Sequence, residues 1–221
     1  MIFGCCTELL EEELTILCYD LTESDKTLLY KGHPTVFAKL IKHMLLNFSS
    51  LVSRYLYNTG YTINSSQTDR YLVETSLLLL VTEFSYRELI SIDQVFTYPS
   101  SQSLTFEKLL LVYILAKAFK RKHNELVLDA FAKDPRSNRA EVEQKLSAWR
   151  HIKPLAEYER EFRELYRQNL PSPNVSHRKV TSDSVSNNDC LLLPEYCVEN
   201  QQSPLDFALW VQALSPKKAV L

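Results

Sequence analysis

Gln67-Thr-Asp-Arg-Tyr-Leu-Val-Glu-Thr-Ser-Leu-Leu-Leu-Leu-Val-Thr-Glu-Phe84 is the stretch that decides the fold class. It opens on helix-capping residues: Ser65, Ser66, Thr68 and Asp69 bring oxygens that accept the unpaired amides of a first turn. Leu72, Ser76, Leu79, Leu80 and Phe84 then recur at helical spacing, and Leu77, Leu78 and Val81 fill the other faces. A helix that is apolar nearly all round must be surrounded by neighbours. The pattern therefore predicts a buried central helix in an all-α domain. Its unbroken apolar run, Leu77 to Val81, falls far short of the roughly twenty residues that span a bilayer.

The composition around this stretch agrees. A chain of 221 residues that is 45% hydrophobic buries a real core, one domain with extensions. Three glycines are too few for a fold rich in hairpins, which needs left-handed positions at its turns. A formal net charge of −2 argues against a general nucleic-acid binder. Five cysteines, at 5, 6, 18, 190 and 197, with no basic leader before them, point to a reducing compartment and free thiols. In such a compartment the sequons at Asn47, Asn64 and Asn174 are chance matches.

Upstream, Glu8 to Leu21 carries Leu10, Leu14, Leu17 and Leu21 at amphipathic spacing. Leu21 to His33 holds Thr22, Ser24, Asp25 and Gly32 and reads as a break. Thr35 to Tyr57 shows one broad apolar stripe and reads as a single long helix after Pro34. Gly60 is placed as its C-cap. Downstream, Tyr86 to Phe96 reads as a short helix and Leu104 to Ala132 as a second strongly apolar one. Asp134 to Asn138 breaks the chain with capping residues. The charged segment beyond has a thin stripe, Val142, Leu146, Trp149 and Ile152, then Leu155, Tyr158, Phe162 and Leu165. That is the narrow seam of a coiled-coil-type helix, kinked at Pro154. Pro171 to Asn188 is polar with little to bury and reads as disordered linker. Ser203 to Leu214 reads as a last amphipathic helix. The expected organisation is a helical domain over 1–133, a charged helical arm over 134–170, and a largely disordered tail over 171–221.

Little in this sequence carries catalytic chemistry. No glycine lies within four residues of another, which excludes a P-loop and a dinucleotide fingerprint. The cysteines lack zinc spacing, no two histidines stand at i, i+4, and no nucleophile has a recognisable base; no metal, cofactor or catalytic residue is expected. Cys5 and Cys6 fit a lipidation site only nonspecifically. Two features suit binding instead. Lys117, Lys120, Arg121, Lys122 and His123 can meet an acidic partner, or form a solvated face paired with Glu125 and Asp129. The aromatic stripe of Trp149, Tyr158, Phe162 and Tyr166 is either a partner interface or packs back on the domain.

Leu51-Val-Ser-Arg-Tyr-Leu-Tyr-Asn-Thr-Gly-Tyr61, a polar loop and then Asp69-Arg-Tyr-Leu…Leu77-Leu-Leu-Leu80 resemble a divergent calponin-homology-type domain of microtubule, ciliary and centriolar proteins. Within that group the chain is similar to the family of the first subunit of the tubulin epsilon and delta complex. Leu104 to Leu128, apolar in front with a basic centre, and Glu143-Gln-Lys-Leu-Ser-Ala-Trp-Arg-His151 extend the likeness over roughly residues 30 to 166. The chain departs from that family in having a less tryptophan-rich helix over Pro154 to Arg167 and a C-terminal tail without a counterpart. The resemblance implies a calponin-homology-like fold and a non-enzymatic centriolar and centrosomal role. Its implied partners are delta- and epsilon-tubulin and a second subunit, in support of triplet microtubules, with direct microtubule contact an open addition. It implies neither nucleic acid nor membrane as partner. On this reading Leu146, Trp149, Tyr158, Phe162 and Leu165 face a partner chain, and Lys117, Lys120, Arg121 and Lys122 an acidic surface such as a tubulin tail. The alternative is a ciliary transport or augmin-type adaptor of the same calponin-homology-like group.

Overall fold

The computed structural model describes residues 3–133 and 153–170, with residues 140, 143, 144 and 147 between them. Its regular elements are all helical: α1 (Gly4–Ile16), α2 (Glu23–Tyr30), α3 (Pro34–Leu46), α4 (Ser50–Asn58), α5 (Asp69–Thr82), α6 (Ile92–Phe96), α7 (Gln102–Lys133) and α8 (Leu155–Gln168). No strand occurs among the described residues, and no helix among them is long and apolar enough to cross a membrane. The expected linker over 171–188 and the expected last helix at 203–214 lie outside the described residues, as do Val142, Leu146, Trp149 and Ile152.

Side-chain oxygens set where the helices begin. Thr22, Ser49, Thr68 and Ser91 each accept a hydrogen bond from a first-turn amide of α2, α4, α5 and α6. Left-handed residues set where three of them end. Cys18 (φ 57°), Gly32 (φ 65°) and Gly60 (φ 99°) let the following amide reach back five residues, from Tyr19 to Leu14, His33 to Leu28 and Tyr61 to Leu56. Gly60 thus closes α4 as its position suggested.

Four elements differ from the sequence reading, each for a local reason. The first helix, expected over Glu8 to Leu21, runs Gly4–Ile16, because left-handed Cys18 closes it. Leu21 to His33 is not a plain break: Thr22 and Asp25 form a reciprocal capping box that starts α2. The single helix expected over Thr35 to Tyr57 is two, because Ser49 turns extended at φ −149° and its hydroxyl caps Val52. Tyr86 to Phe96 is helical only from Ile92, where Ser91 and Gln94 make a second capping box.

The central helix is also a different one. Every residue of α7 from Lys108 to Ala116 is buried, and α7 packs against α1, α2, α3, α4, α5 and α8. Helix α5 lies mainly on α3, with Leu72, Leu79 and Leu80 buried and Leu78 and Val81 half-buried. It belongs to the wall of the core and α7 forms the axis. Helix α8 packs on α7 and α1 within the same unit, Met1–Pro173, so this part of the charged segment does not stand apart as an arm.

Candidate interaction surface

Successive residues of a helix are about 100° apart, so a run of cations spreads around α7 rather than forming one face. Lys117 and Lys120 turn toward α1, where the buried Glu13 carboxylate lies 2.5 Å and 3.5 Å from their Nζ atoms. The Lys117 ammonium also sits over the rings of Tyr113 and Tyr158, 5.2 Å and 4.6 Å from their centroids. Lys122 turns the other way, 3.9 Å from the centre of the Tyr55 ring and 3.3 Å from Glu125. The Tyr55 hydroxyl in turn donates to Glu83 at 2.6 Å. A ring nitrogen of His123 meets the Ser49 hydroxyl at 2.8 Å, so the residue that starts α4 also ties α4 to α7. Much of the basic cluster is thereby engaged inside the fold. Arg121 is exposed and lines two adjacent clefts of about 390 and 180 Å³. The larger has an apolar floor of Phe84, Ala118 and Leu155 and a mixed rim of Glu83, Lys122 and Glu125.

The aromatic stripe resolves toward the interior. Phe162 is fully buried, stacked against Phe106 and Tyr113 with centroids 5.7 and 4.7 Å apart. Tyr166 stacks on Phe106 at 4.0 Å and on Phe3 at 5.9 Å. Tyr158 and Leu165 are half-buried against the same core. Phe162 is therefore not a solvent-facing partner anchor: its ring completes the aromatic packing between α7 and α8. Leu146 and Trp149, the other anchors expected on this stripe, lie outside the described residues.

Around these rings runs a polar network that sequence reasoning did not find. Glu159 is buried and accepts hydrogen bonds from the Tyr86 hydroxyl, from Arg87 and, at 2.7 Å, from Nε of Arg163. Arg163 also grips Glu107 of α7 with two nitrogens at 2.7 and 2.9 Å. Burial pushes the Glu159 carboxyl up, but the hydrogen bonds from Tyr86 and Arg163 and the charges of Arg87 and Arg163 outweigh it. Its pKa is held below the ordinary glutamate value. Burial, and then the bond to Glu159, push the Tyr86 phenol up. The Glu159–Arg163 pair was visible as an i, i+4 pair; Glu107, 56 residues from Arg163, gave no local signal.

Among the described residues no group of three or more His, Cys, Asp or Glu is placed to hold a metal ion. Burial, with the neighbouring Cys5 adding to it, raises the Cys6 thiol to about 11, which keeps it protonated and unreactive.

The model of the family CEP44, described as centrosomal spindle body, matches residues 4–133, from α1 to the end of α7. It is a different family from that of the tubulin epsilon and delta complex. No curated protein and no solved structure matches the chain. Helix α8 lies beyond the matched residues although it packs on them. The match spans more than half of the 221 residues, and on that ground this chain belongs to the CEP44 family of centrosomal spindle-body proteins.

Proposed function

We propose that the chain is a non-enzymatic structural component of the centrosome that works by holding protein partners, with tubulin foremost among them. The observation that carries this reading is the family match over residues 4–133. The exposed position of Arg121 at the edge of two clefts supports it, since a side chain there lies where an incoming peptide would meet the apolar floor of Phe84, Ala118 and Leu155. The test is Arg121→Glu, read by co-sedimentation with microtubules at low and moderate salt and by thermal melting. Loss of co-sedimentation by about tenfold with an unchanged melt is the expected result. Retained co-sedimentation removes this surface from the proposal.

The narrower reading assigns delta- and epsilon-tubulin and a second subunit as the partners, in support of triplet microtubules. It is favoured by the likeness of residues 51–61, 69–80 and 143–151 to the tubulin-complex family, including its calponin-homology-like domain. Affinity purification of the full chain from ciliated cells distinguishes the readings. Co-purified delta- and epsilon-tubulin support the narrower one; alpha- and beta-tubulin alone leave only the broader one.

A further inference from the structure

A tyrosine hydroxyl from outside the helices helps to hold α8 in its groove. Tyr86 donates to the buried Glu159, whose carboxylate also takes Arg87 at 2.5 Å and Arg163 at 2.7 Å. Arg163 in turn carries Glu107 of α7. Two cations and two carboxylates balance in this network, so it holds no unmatched positive charge. Tyr86 and Arg87 lie in residues 85–89, which form no helix, and Ser85, Arg87 and Glu88 beside the tyrosine are exposed. The Tyr86 side chain itself is half-buried and borders the cleft of about 390 Å³.

We infer that Tyr86 is an acceptor site for a tyrosine kinase that uses ATP, and that its phosphorylation releases α8 from the α1–α7 groove. In the transfer the phenolic oxygen bonds to the γ-phosphorus of ATP. The bond from that phosphorus to the β,γ-bridging oxygen breaks, the phenolic proton passes to the base of the kinase, and ADP leaves. Residues 85–89 offer an irregular backbone that a kinase cleft can hold without unwinding a helix. The hydroxyl is free whenever α8 lifts. Seven of the 14 residues of α8 are Glu or Arg, and so short and charged a helix holds itself poorly once it leaves the domain. The modified contact does not close again. An ester oxygen has no proton to give Glu159, and the phosphate brings about 1.5 to 2 negative charges against a buried carboxylate. Partial burial strengthens that repulsion. Phosphorylation thus shifts the population toward the open state, in which Phe106 and Tyr113 lose the cover of Phe162.

The test treats the full chain with ATP, magnesium and a tyrosine kinase of broad specificity. Peptide mass spectrometry locates the phosphate, and limited trypsin reads α8 through cleavage at Arg160, Arg163 and Arg167. Phosphate at Tyr86 is expected, with cleavage in α8 at least about tenfold faster than in the untreated chain. Tyr86→Phe, treated in the same way, keeps the exposed Tyr57, Tyr71 and Tyr98 as acceptors and should be cleaved no faster than its own untreated sample. In Glu159→Gln the phosphate meets no carboxylate at this contact, and the acceleration should shrink. A kinase that modifies Tyr57 or Tyr98 and spares Tyr86 overturns the proposal. So does phosphate at Tyr86 that leaves α8 as protected as before, or equal acceleration in Tyr86→Phe. Undiminished acceleration in Glu159→Gln overturns the repulsion on which the release depends.

Discussion

Lys108 is buried in the second turn of α7, with no carboxylate among its hydrogen-bond partners. Its ammonium is held by three oxygens: the Gly32 carbonyl at 2.9 Å, the Thr97 carbonyl at 2.7 Å and the Ser100 hydroxyl at 2.7 Å. One side chain thus pins the α2–α3 turn and the loop before α7 to the axial helix. Burial pushes its pKa from 10.5 down to about 8. The unfolded chain keeps this proton to higher pH than the folded one, so between these values unfolding takes up a proton and stability rises with pH. Below about 8 the cost of burying the charge is present in full. Lys108→Met leaves two carbonyls without their donor and is expected to lose about 1–3 kcal/mol at neutral pH. Because the wild type gains stability across the window that the variant lacks, the deficit should widen as melting is repeated at increasing pH from about 7 to about 9.5. A deficit that narrows would place the proton elsewhere. Gly32 serves the same junction. A Cβ there would stand 2.4 Å from Thr105 Oγ1 and 2.7 Å from Ser100 Cβ, at a φ of +65°. Gly32→Ala should cost more than about 2 kcal/mol, from clash added to left-handed strain. Gly60→Ala, at φ +99° with nothing within 4 Å, should show the strain alone. Urea titration of both variants separates the two contributions. Neither role was legible beforehand: Lys108 looked like one polar residue in an apolar run, and its acceptors lie as far as 76 residues away.

At the scale of elements, legibility followed the range of the determining interaction. The start of α5 rests on Thr68, three residues from the amide it caps, and that residue reads as a cap in sequence; the start of α4 rests just as locally on Ser49, but the broad apolar stripe around it hid the break. The capping boxes of α2 and α6 were equally local, and the breaks and stripes around them obscured the signal. The placement of α8 was not local. Its thin stripe is satisfied as well by a neighbouring chain as by this one, and Glu107, Tyr86 and Arg87 decide where it lies here. Glu159 makes that placement sensitive to pH. Its folded pKa is depressed, so its contribution is present above the unfolded value of about 4.3 and is lost as pH falls through the folded one. Glu159→Gln should therefore cost about 2 kcal/mol near neutrality. The gap from wild type should close in acid below about pH 4. Melting curves over that range check the sign: a gap that grows in acid contradicts it.

For the whole molecule, the family match ends at residue 133 while the fold continues into α8. The sequence placed a boundary at the same point, because Asp134 to Asn138 carries capping residues and the charge density rises beyond it. Packing crosses that boundary through Phe162, Tyr166 and Leu155, and one of these rings is fully buried. A chain cut after Lys133 thus keeps the α7 axis and its neighbours but uncovers Phe106 and Tyr113. Burying a large apolar side chain is worth about 1.5–3 kcal/mol, and the ordering of α8 takes back part of that. The net loss on truncation is expected to be about 3 kcal/mol, a fall in Tm of about 10 °C for a unit of this size. The helical signal should remain, since the caps and the axis are intact, and a dye that binds apolar surface should fluoresce more strongly. An unchanged Tm would mean that α8 adds nothing to the folded state in solution, and the aromatic groove would then have to be covered in some other way. Complete loss of helicity would mean instead that the matched region does not fold without α8, making residues 153–170 part of the domain itself.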